Sequence, residues 1–126
     1  MGLFTFETNN RMYMQAVVEL EAMKAELSRF EIEIMKSESR KMVAEENASL
    51  IEKSLDFVCK YAKIVSITEY SKLKFQLASE YHSITNESNY LVATARTVSK
   101  LKVKIEKMER VLPNLSSIVL RFPSND

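Results

Sequence analysis

The chain has 126 residues, of which 46% are hydrophobic and 28% charged, and its formal net charge is +1. This length is typical of a single domain, and a net charge so close to zero singles out neither nucleic acid nor an acidic substrate as a partner. The only cysteine is Cys59, which excludes an internal disulfide and a cysteine-based zinc site.

Glycine and proline are absent from the whole segment between Leu3 and Leu112. A sheet protein needs such turn residues about every 8–12 positions, so the pattern predicts an all-α fold. Phosphate-binding loops and nucleophile elbows also need glycine, and the only glycine is Gly2.

The first predicted helix covers residues 9–36, with Thr8, Asn9 and Asn10 as candidate N-caps. Its main apolar face has the alternating steps of four and three that are typical of a coiled-coil seam. That seam comprises Ala16, Leu20, Met23, Leu27, Phe30 and Ile34. A weaker stripe away from the seam comprises Met14, Val18, Ala25, Ile32 and Met35. We predict that this second stripe binds a partner; core filling is the alternative interpretation of its methionines.

Ser37–Lys41 places polar residues where the seam should be apolar, although the heptad phase carries straight through. Two interpretations remain open. The chain turns here, or one helix of about 55 residues continues for roughly 80 Å. We favour the turn, because little in so short a chain would cover a helix of that length.

The second predicted helix covers residues 42–65. Its seam comprises Ala44, Ala48, Ile51, Leu55, Val58, Ala62 and Val65, and a second apolar flank comprises Leu50, Phe57, Tyr61 and Ile64. This should be the most buried helix or one shared with a partner chain. Cys59 lies beside the seam, where we expect it to act as a small apolar core residue.

Ser66 and Glu69 form a capping-box pattern that opens a third predicted helix, residues 67–84. Its predicted face is Ile67, Tyr70, Leu73, Leu77, Tyr81 and Ile84. Thr85–Asn89 reads as a turn, and a fourth helix follows at 89–112. The face of that helix comprises Leu91, Ala95, Val98, Leu101, Ile105, Met108 and Leu112, and we expect Pro113 to end it.

We expect both ends of the chain, residues 1–8 and 113–126, to be extended or partly disordered. Leu3–Phe6 and Ser117–Phe122 are β-branched and aromatic, so they could pair as a short ribbon. The alternative is that both lie extended against the helices.

Basic residues are concentrated from Arg96 to Arg110, where there are six bases and two acids. Arg96, Lys100, Lys107 and Arg110 project opposite the seam and form a basic outer stripe. A solvated face, which could lie opposite the acidic first helix of the same or a neighbouring chain, is one interpretation. A docking surface for nucleic acid, anionic lipid or an acidic protein is the other. The stripe lacks the interleaved aromatic residues that stack on bases.

Candidates for catalysis are few, and we expect no catalytic, cofactor-binding or metal-binding residues. His82 is the only histidine and falls away from the helix face. Facing Glu-x-x-His pairs, which di-iron sites in helical bundles need, do not occur. The chain has neither a secretory leader pattern nor a long apolar run, so we expect a cytoplasmic protein with no transmembrane segment.

Taken together, the pattern predicts a single-domain, antiparallel, coiled-coil-like bundle of about four helices with an extended C-terminal tail. The predicted function is a non-enzymatic interaction or assembly protein that associates with itself, as a dimer, or with another protein. One alternative is a module that binds nucleic acid or an anionic surface through the basic outer stripe. Another is a small inhibitor or immunity-type protein whose tail, Ser117–Phe122, adds a strand to its target.

Overall fold

A computed structural model describes the backbone of residues 2–61 and 66–121 and the side chains of residues 10–61 and 66–114. Of the described residues, 98% are helical and none is in a strand. They form two long helices packed against each other, α1 (Gly2–Lys60) and α2 (Ile67–Arg121). The all-α prediction is therefore confirmed, and the prediction of four helices is wrong.

The predicted turn at Ser37–Lys41 is wrong, because α1 continues through it and the single-helix interpretation is the one observed. Ser37 is fully buried and donates its hydroxyl hydrogen bond to Glu87 on α2. Lys41 is half-buried and pairs with Glu45 at 3.9 Å. Polar side chains at seam positions do not break a helix when partners satisfy them and no glycine or proline is present.

The predicted turn at Thr85–Asn89 is also wrong, because this segment lies inside α2. The Thr85 hydroxyl donates to the carbonyl of Tyr81 at 3.0 Å, so the residue bonds back to its own helix. Helix α2 also continues through Pro113 instead of ending there. A proline inside a helix removes one backbone hydrogen bond and favours a bend, which weakens a helix without necessarily ending it.

The predicted extended ends are wrong for residues 2–8 and 113–121, which are helical. Leu3–Phe6 and residues 117–121 are helical, so these described residues do not form the predicted ribbon. The inhibitor hypothesis, in which Ser117–Phe122 adds a strand to a target, stays a prediction. Strand propensity is a weak preference that local helical hydrogen bonds override here. Met1 and residues 122–126 lie outside the described residues.

The connection between the helices includes residues 62–65, which lie outside the described residues; Ala62, Ile64 and Val65 of the predicted faces fall there. On the α2 side, the Ser66 hydroxyl oxygen accepts a hydrogen bond from the Glu69 amide at 3.2 Å. This confirms the first half of the predicted capping box. The reciprocal bond, which the Glu69 carboxylate would accept from the Ser66 amide, stays a prediction.

The chain divides into two compact units, and each is described by itself. Unit 1 comprises Met1–Glu31 and Arg96–Asp126, and unit 2 comprises Ile32–Ala95. In unit 1, Leu20, Leu101 and Ile105 form a buried apolar cluster. Met23, Leu27, Phe30, Met108 and Leu112 pack against it. The predicted seams of both helices are confirmed in this unit.

In unit 2 the buried positions are smaller and more polar. They are Ser37, Ala44, Ala48, Val58 and Thr94. Half-buried positions of the same face include Glu80 and Glu87. Three predicted face residues of α2 are instead exposed, namely Ile67, Tyr81 and Ala95, and Thr94 takes the place expected for Ala95.

The buried and half-buried residues of α2 follow the steps of three and four more strictly than its apolar residues do. From Tyr70 the series runs through Leu73, Leu77, Glu80, Ile84, Glu87, Leu91 and Thr94, and it continues from Val98 to Leu112. The covered face of α2 therefore keeps the heptad spacing throughout, although three of its positions are polar, namely Glu80, Glu87 and Thr94.

Candidate functional site

A polar layer in unit 2 joins the two helices through one carboxylate. Glu87 accepts a hydrogen bond from the buried Ser37 hydroxyl. Arg40 donates to the same carboxylate through two nitrogens of its guanidinium, Nε to Oε1 at 2.8 Å and a terminal nitrogen to Oε2 at 3.4 Å. This two-point geometry fixes the orientation of both side chains.

The electrostatics of the polar layer favour the charged form of both partners. The hydrogen bond from Arg40, followed by the one from Ser37, holds the pKa of the Glu87 carboxyl below its ordinary value. The hydrogen bond to Glu87 likewise raises the pKa of Arg40. A carboxylate held in this way stays charged at neutral pH, which suits a contact that positions one helix against the other.

Two further contacts in unit 2 also run from α1 to α2 through carboxylates. The Asn47 amide donates to Glu80 at 3.5 Å, and the Tyr81 hydroxyl donates to Glu52. Sequence reasoning missed Glu80, Glu87 and Thr94 because it looked for apolar residues. Their spacing was the available signal, since each falls three or four residues from an apolar neighbour of the same face.

The predicted partner-binding stripe lies on the outer side of α1. Met14 is 54% exposed, Val18 65%, Ile32 54% and Met35 67%, and Ala25 is exposed as well. Met14, Val18 and Ala25 belong to unit 1, and Ile32 and Met35 belong to unit 2. The exposure shows that these side chains are not core filling; partner binding stays a prediction.

A second row of exposed apolar residues lies on α1 in unit 2. Val43, Leu50 and Phe57 are spaced by seven residues, and each is more than half exposed. The Phe57 ring packs against Tyr61 at 4.8 Å between centroids. The expectation that this would be the most buried helix is wrong, because the described residues of its second flank, Leu50, Phe57 and Tyr61, are exposed. The alternative, a helix shared with a partner chain, stays a prediction. Val43 was missed at the sequence level.

A groove of about 600 Å³ lies between the two helices of unit 1. Its floor is formed by Ala22, Met23, Met108 and Val111, and its rims carry Glu19, Lys104 and Lys107. The floor is apolar, the α1 rim is acidic and the α2 rim is basic.

The predicted basic outer stripe is exposed along its whole length. Arg96, Lys100, Lys107 and Arg110 are all solvent-accessible and all belong to unit 1. Arg110 pairs with Glu106 on its own helix at 3.9 Å, and Lys107 lies on the rim of the groove. The stripe is thus available to an anionic partner; that role stays a prediction.

Cys59 and His82 are both exposed. The expectation that Cys59 fills the core is wrong, because it follows the buried Val58 and is therefore turned about 100° away from the seam. Within the described ranges, no group of three or more His, Cys, Asp or Glu residues could hold a metal ion.

These features define an antiparallel hairpin of two helices with a coiled-coil seam, a polar layer and several exposed apolar rows. Comparison of the chain with protein-family models, curated proteins and solved structures finds no match. Among the described residues, neither helix contains a stretch long and apolar enough to cross a membrane.

Proposed function

We propose that this protein is a non-enzymatic interaction or assembly protein that binds other helices, including those of its own copies, and that forms at least a dimer. The observation that carries the proposal is the exposure of large apolar side chains along the outer side of α1. Val18 and Met35 are each about two-thirds exposed on a helix whose other side is already covered by α2.

The energetic argument rests on the area that a partner would cover. Apolar surface removed from water contributes about 25 cal/mol per Å², less the costs of association. Met14 and Met35 share one heptad position, and Val18, Ala25 and Ile32 share another, so within each unit they form a row that a partner helix can follow. Methionine side chains adapt readily to such a partner.

The test is a concentration series by analytical ultracentrifugation with two matched valine variants. We expect the wild type to self-associate, and we expect Val18→Lys to remove the part of that self-association that uses the stripe. Val103→Lys is the control, because Val103 is likewise an exposed valine on a helix of unit 1 and does not belong to the stripe. A strictly monomeric wild type at high concentration would refute self-association.

A second candidate function is the binding of an anionic surface or nucleic acid, favoured by the exposure of all four residues of the basic outer stripe. Such binding would depend on phosphate contacts and would weaken steeply with salt. Replacing Lys100, Lys107 and Arg110 by Gln should abolish it; unchanged affinity for heparin or duplex DNA would exclude this function.

A cytoplasmic location is part of the proposal. It is supported by the single cysteine, which suits a reducing compartment. Fractionation of cells that express the tagged chain would test it.

A further inference from the structure

We propose that the groove of unit 1 is a contact surface for a second copy of this chain, with the two copies packed face to face about a twofold axis parallel to the helices. This inference rests on the proposed function, since its occupant is another copy. It names a surface distinct from the predicted partner-binding stripe, which lies on the outer side of α1.

The first argument is the division of charge between the two rims. The α1 side carries Glu19, and the α2 side carries Lys104 and Lys107. The hydrogen bonds and ion pairs formed among the described residues involve none of these three side chains. A polyanion would meet the acidic rim as well as the basic one. A second copy carries both rims and can match each of them.

The second argument is geometric. A twofold axis parallel to the helices keeps every residue at its own level and places α1 of one copy over α2 of the other. Within unit 1, Glu19 and Lys107 line the same groove from opposite helices, so they lie within about one turn of each other along the hairpin. The symmetry therefore sets Glu19 of each copy against Lys107 of the other.

The same pairing extends along the face by one heptad. Glu26 follows Glu19 by seven residues, and Lys100 precedes Lys107 by seven. Because the helices are antiparallel, the second acid and the second base also lie within about one turn of each other, as the first pair does. The face thus repeats its acid-to-base match one heptad further along. Glu26 also pairs with Arg29 on its own helix, at 3.6 Å, so its contribution should be the smaller one.

The third argument is the floor of the groove. Ala22 is small enough for a facing helix to approach closely, and Met23 and Met108 have flexible side chains that can repack around it. Val111 is 46% exposed, so it adds apolar area that only a partner would cover. The packing would complete a four-helix arrangement in which neighbouring helices are antiparallel.

The test uses two complementary double variants in analytical ultracentrifugation. Lys104→Glu with Lys107→Glu makes both rims acidic, and Glu19→Lys with Glu26→Lys makes both rims basic. We expect each variant alone to dimerise about tenfold or more weakly, since like charges then face each other. An equimolar mixture should restore the dimer as a heterodimer.

Lys53→Glu with Lys60→Glu is the control, because it changes the net charge equally at two exposed positions of α1 in unit 2. This variant should dimerise like the wild type and should not rescue the basic variant. Circular dichroism of every variant checks that the helices are intact. If a rim variant fails to fold, Ala22→Gln provides a second test. This substitution fills the groove without changing the charge, and it should also weaken the dimer.

The outcomes separate the inference from the proposed function. A wild-type dimer that tolerates the rim variants and Ala22→Gln would overturn the inference and leave self-association standing. A monomeric wild type would overturn both. A monomer that binds heparin through Lys104 and Lys107 would replace the second copy by a polyanion as the occupant.

Discussion

The two units of the molecule use the same heptad spacing with different residues. Unit 1 fills its seam with large apolar side chains such as Leu20, Leu101 and Ile105. In unit 2 the fully buried positions are mostly small or polar, including Ser37, Ala44 and Thr94, and large apolar seam residues such as Leu73 are only half-buried. Apolar contacts stabilise without strong directionality, whereas hydrogen-bonded polar contacts are satisfied in one alignment only. We therefore expect apolar burial to contribute more to stability in unit 1, and the polar contacts of unit 2 to set the alignment of α1 against α2.

The largest expected effect is the loss of a seam leucine in unit 1. Leu101→Ala should lower the free energy of unfolding by about 2–3 kcal/mol, because it removes buried apolar atoms and leaves a cavity. Leu101 is only 8% exposed and packs with Leu20 and Ile105. Urea denaturation followed by circular dichroism measures the change.

Val103→Ala is the control for that experiment, because Val103 is an exposed residue of the same helix in the same unit. It should shift the unfolding midpoint very little. An equal loss in both variants would mean that unit 1 does not derive its stability from the seam.

The next effect has the opposite sign and concerns the polar layer of unit 2. Replacing Ser37 by Ala and Glu87 by Leu in one variant should raise the thermal midpoint, because replacing a satisfied polar pair by well-packed apolar residues of similar size is often stabilising. The Arg40 side chain is partly exposed to solvent, so the variant does not leave a buried charge without a partner. Differential scanning calorimetry measures the shift.

In the same double variant, the alignment of α1 against α2 should become less well defined while the stability rises. Spin labels introduced in pairs on α1 and α2 of unit 2 should give one distance in the wild type and a broader distribution in the variant. A single, unchanged distance would show that the polar layer does not set the alignment of the helices.

A smaller effect is expected with pH. The folded pKa of Glu87 lies below its ordinary value of 4.5, so its contribution to stability is present above about pH 4.5 and is lost as pH falls through the folded pKa. The thermal midpoint of the wild type should therefore exceed that of Glu87→Gln near neutral pH, and the difference between them should not change with pH in that range. The difference should shrink below pH 4.5; a difference that persists at pH 2 would contradict the assignment.

The smallest effect is expected for the ion pair of unit 1. Lys24 and Glu109 lie 3.6 Å apart, and both side chains are about half exposed. Exposed pairs of this kind contribute about 0.2–1 kcal/mol, so a double-mutant cycle with Ala should give a coupling energy in that range. A larger coupling would mean that electrostatics, and not only burial, holds unit 1 together.

The sequence predicted the helical class and most of the apolar seam, because apolar periodicity directly reports which side of a helix is covered. It predicted the seam of α1 that begins at Ala16 and the face of α2 from Val98 to Leu112. It failed where polar residues occupy seam positions, since Ser37 and Glu87 become compatible with burial only through a partner about fifty residues away. That pairing is a long-range contact, and a local pattern does not contain it.

The same limitation explains the errors at the candidate sites. The outer stripe of α1 and the basic outer stripe of α2 were correctly placed outside the seam by their spacing alone. The groove of unit 1 was not foreseen, because its rims come from two distant segments. Cys59 and Phe57 were expected to be covered, since a second apolar flank was taken as a sign of burial when it is in fact exposed.

The unbroken seam of α1, from Tyr13 to Val58, has a consequence for how this chain can change its length. One inserted residue would rotate everything beyond it by about 100° and turn the seam toward solvent. An insertion of seven residues restores the phase, but it must be matched by seven residues on α2 to keep the polar layer aligned. Length variants of this hairpin that still fold should therefore differ by whole heptads, with seven residues added to α1 and seven to α2.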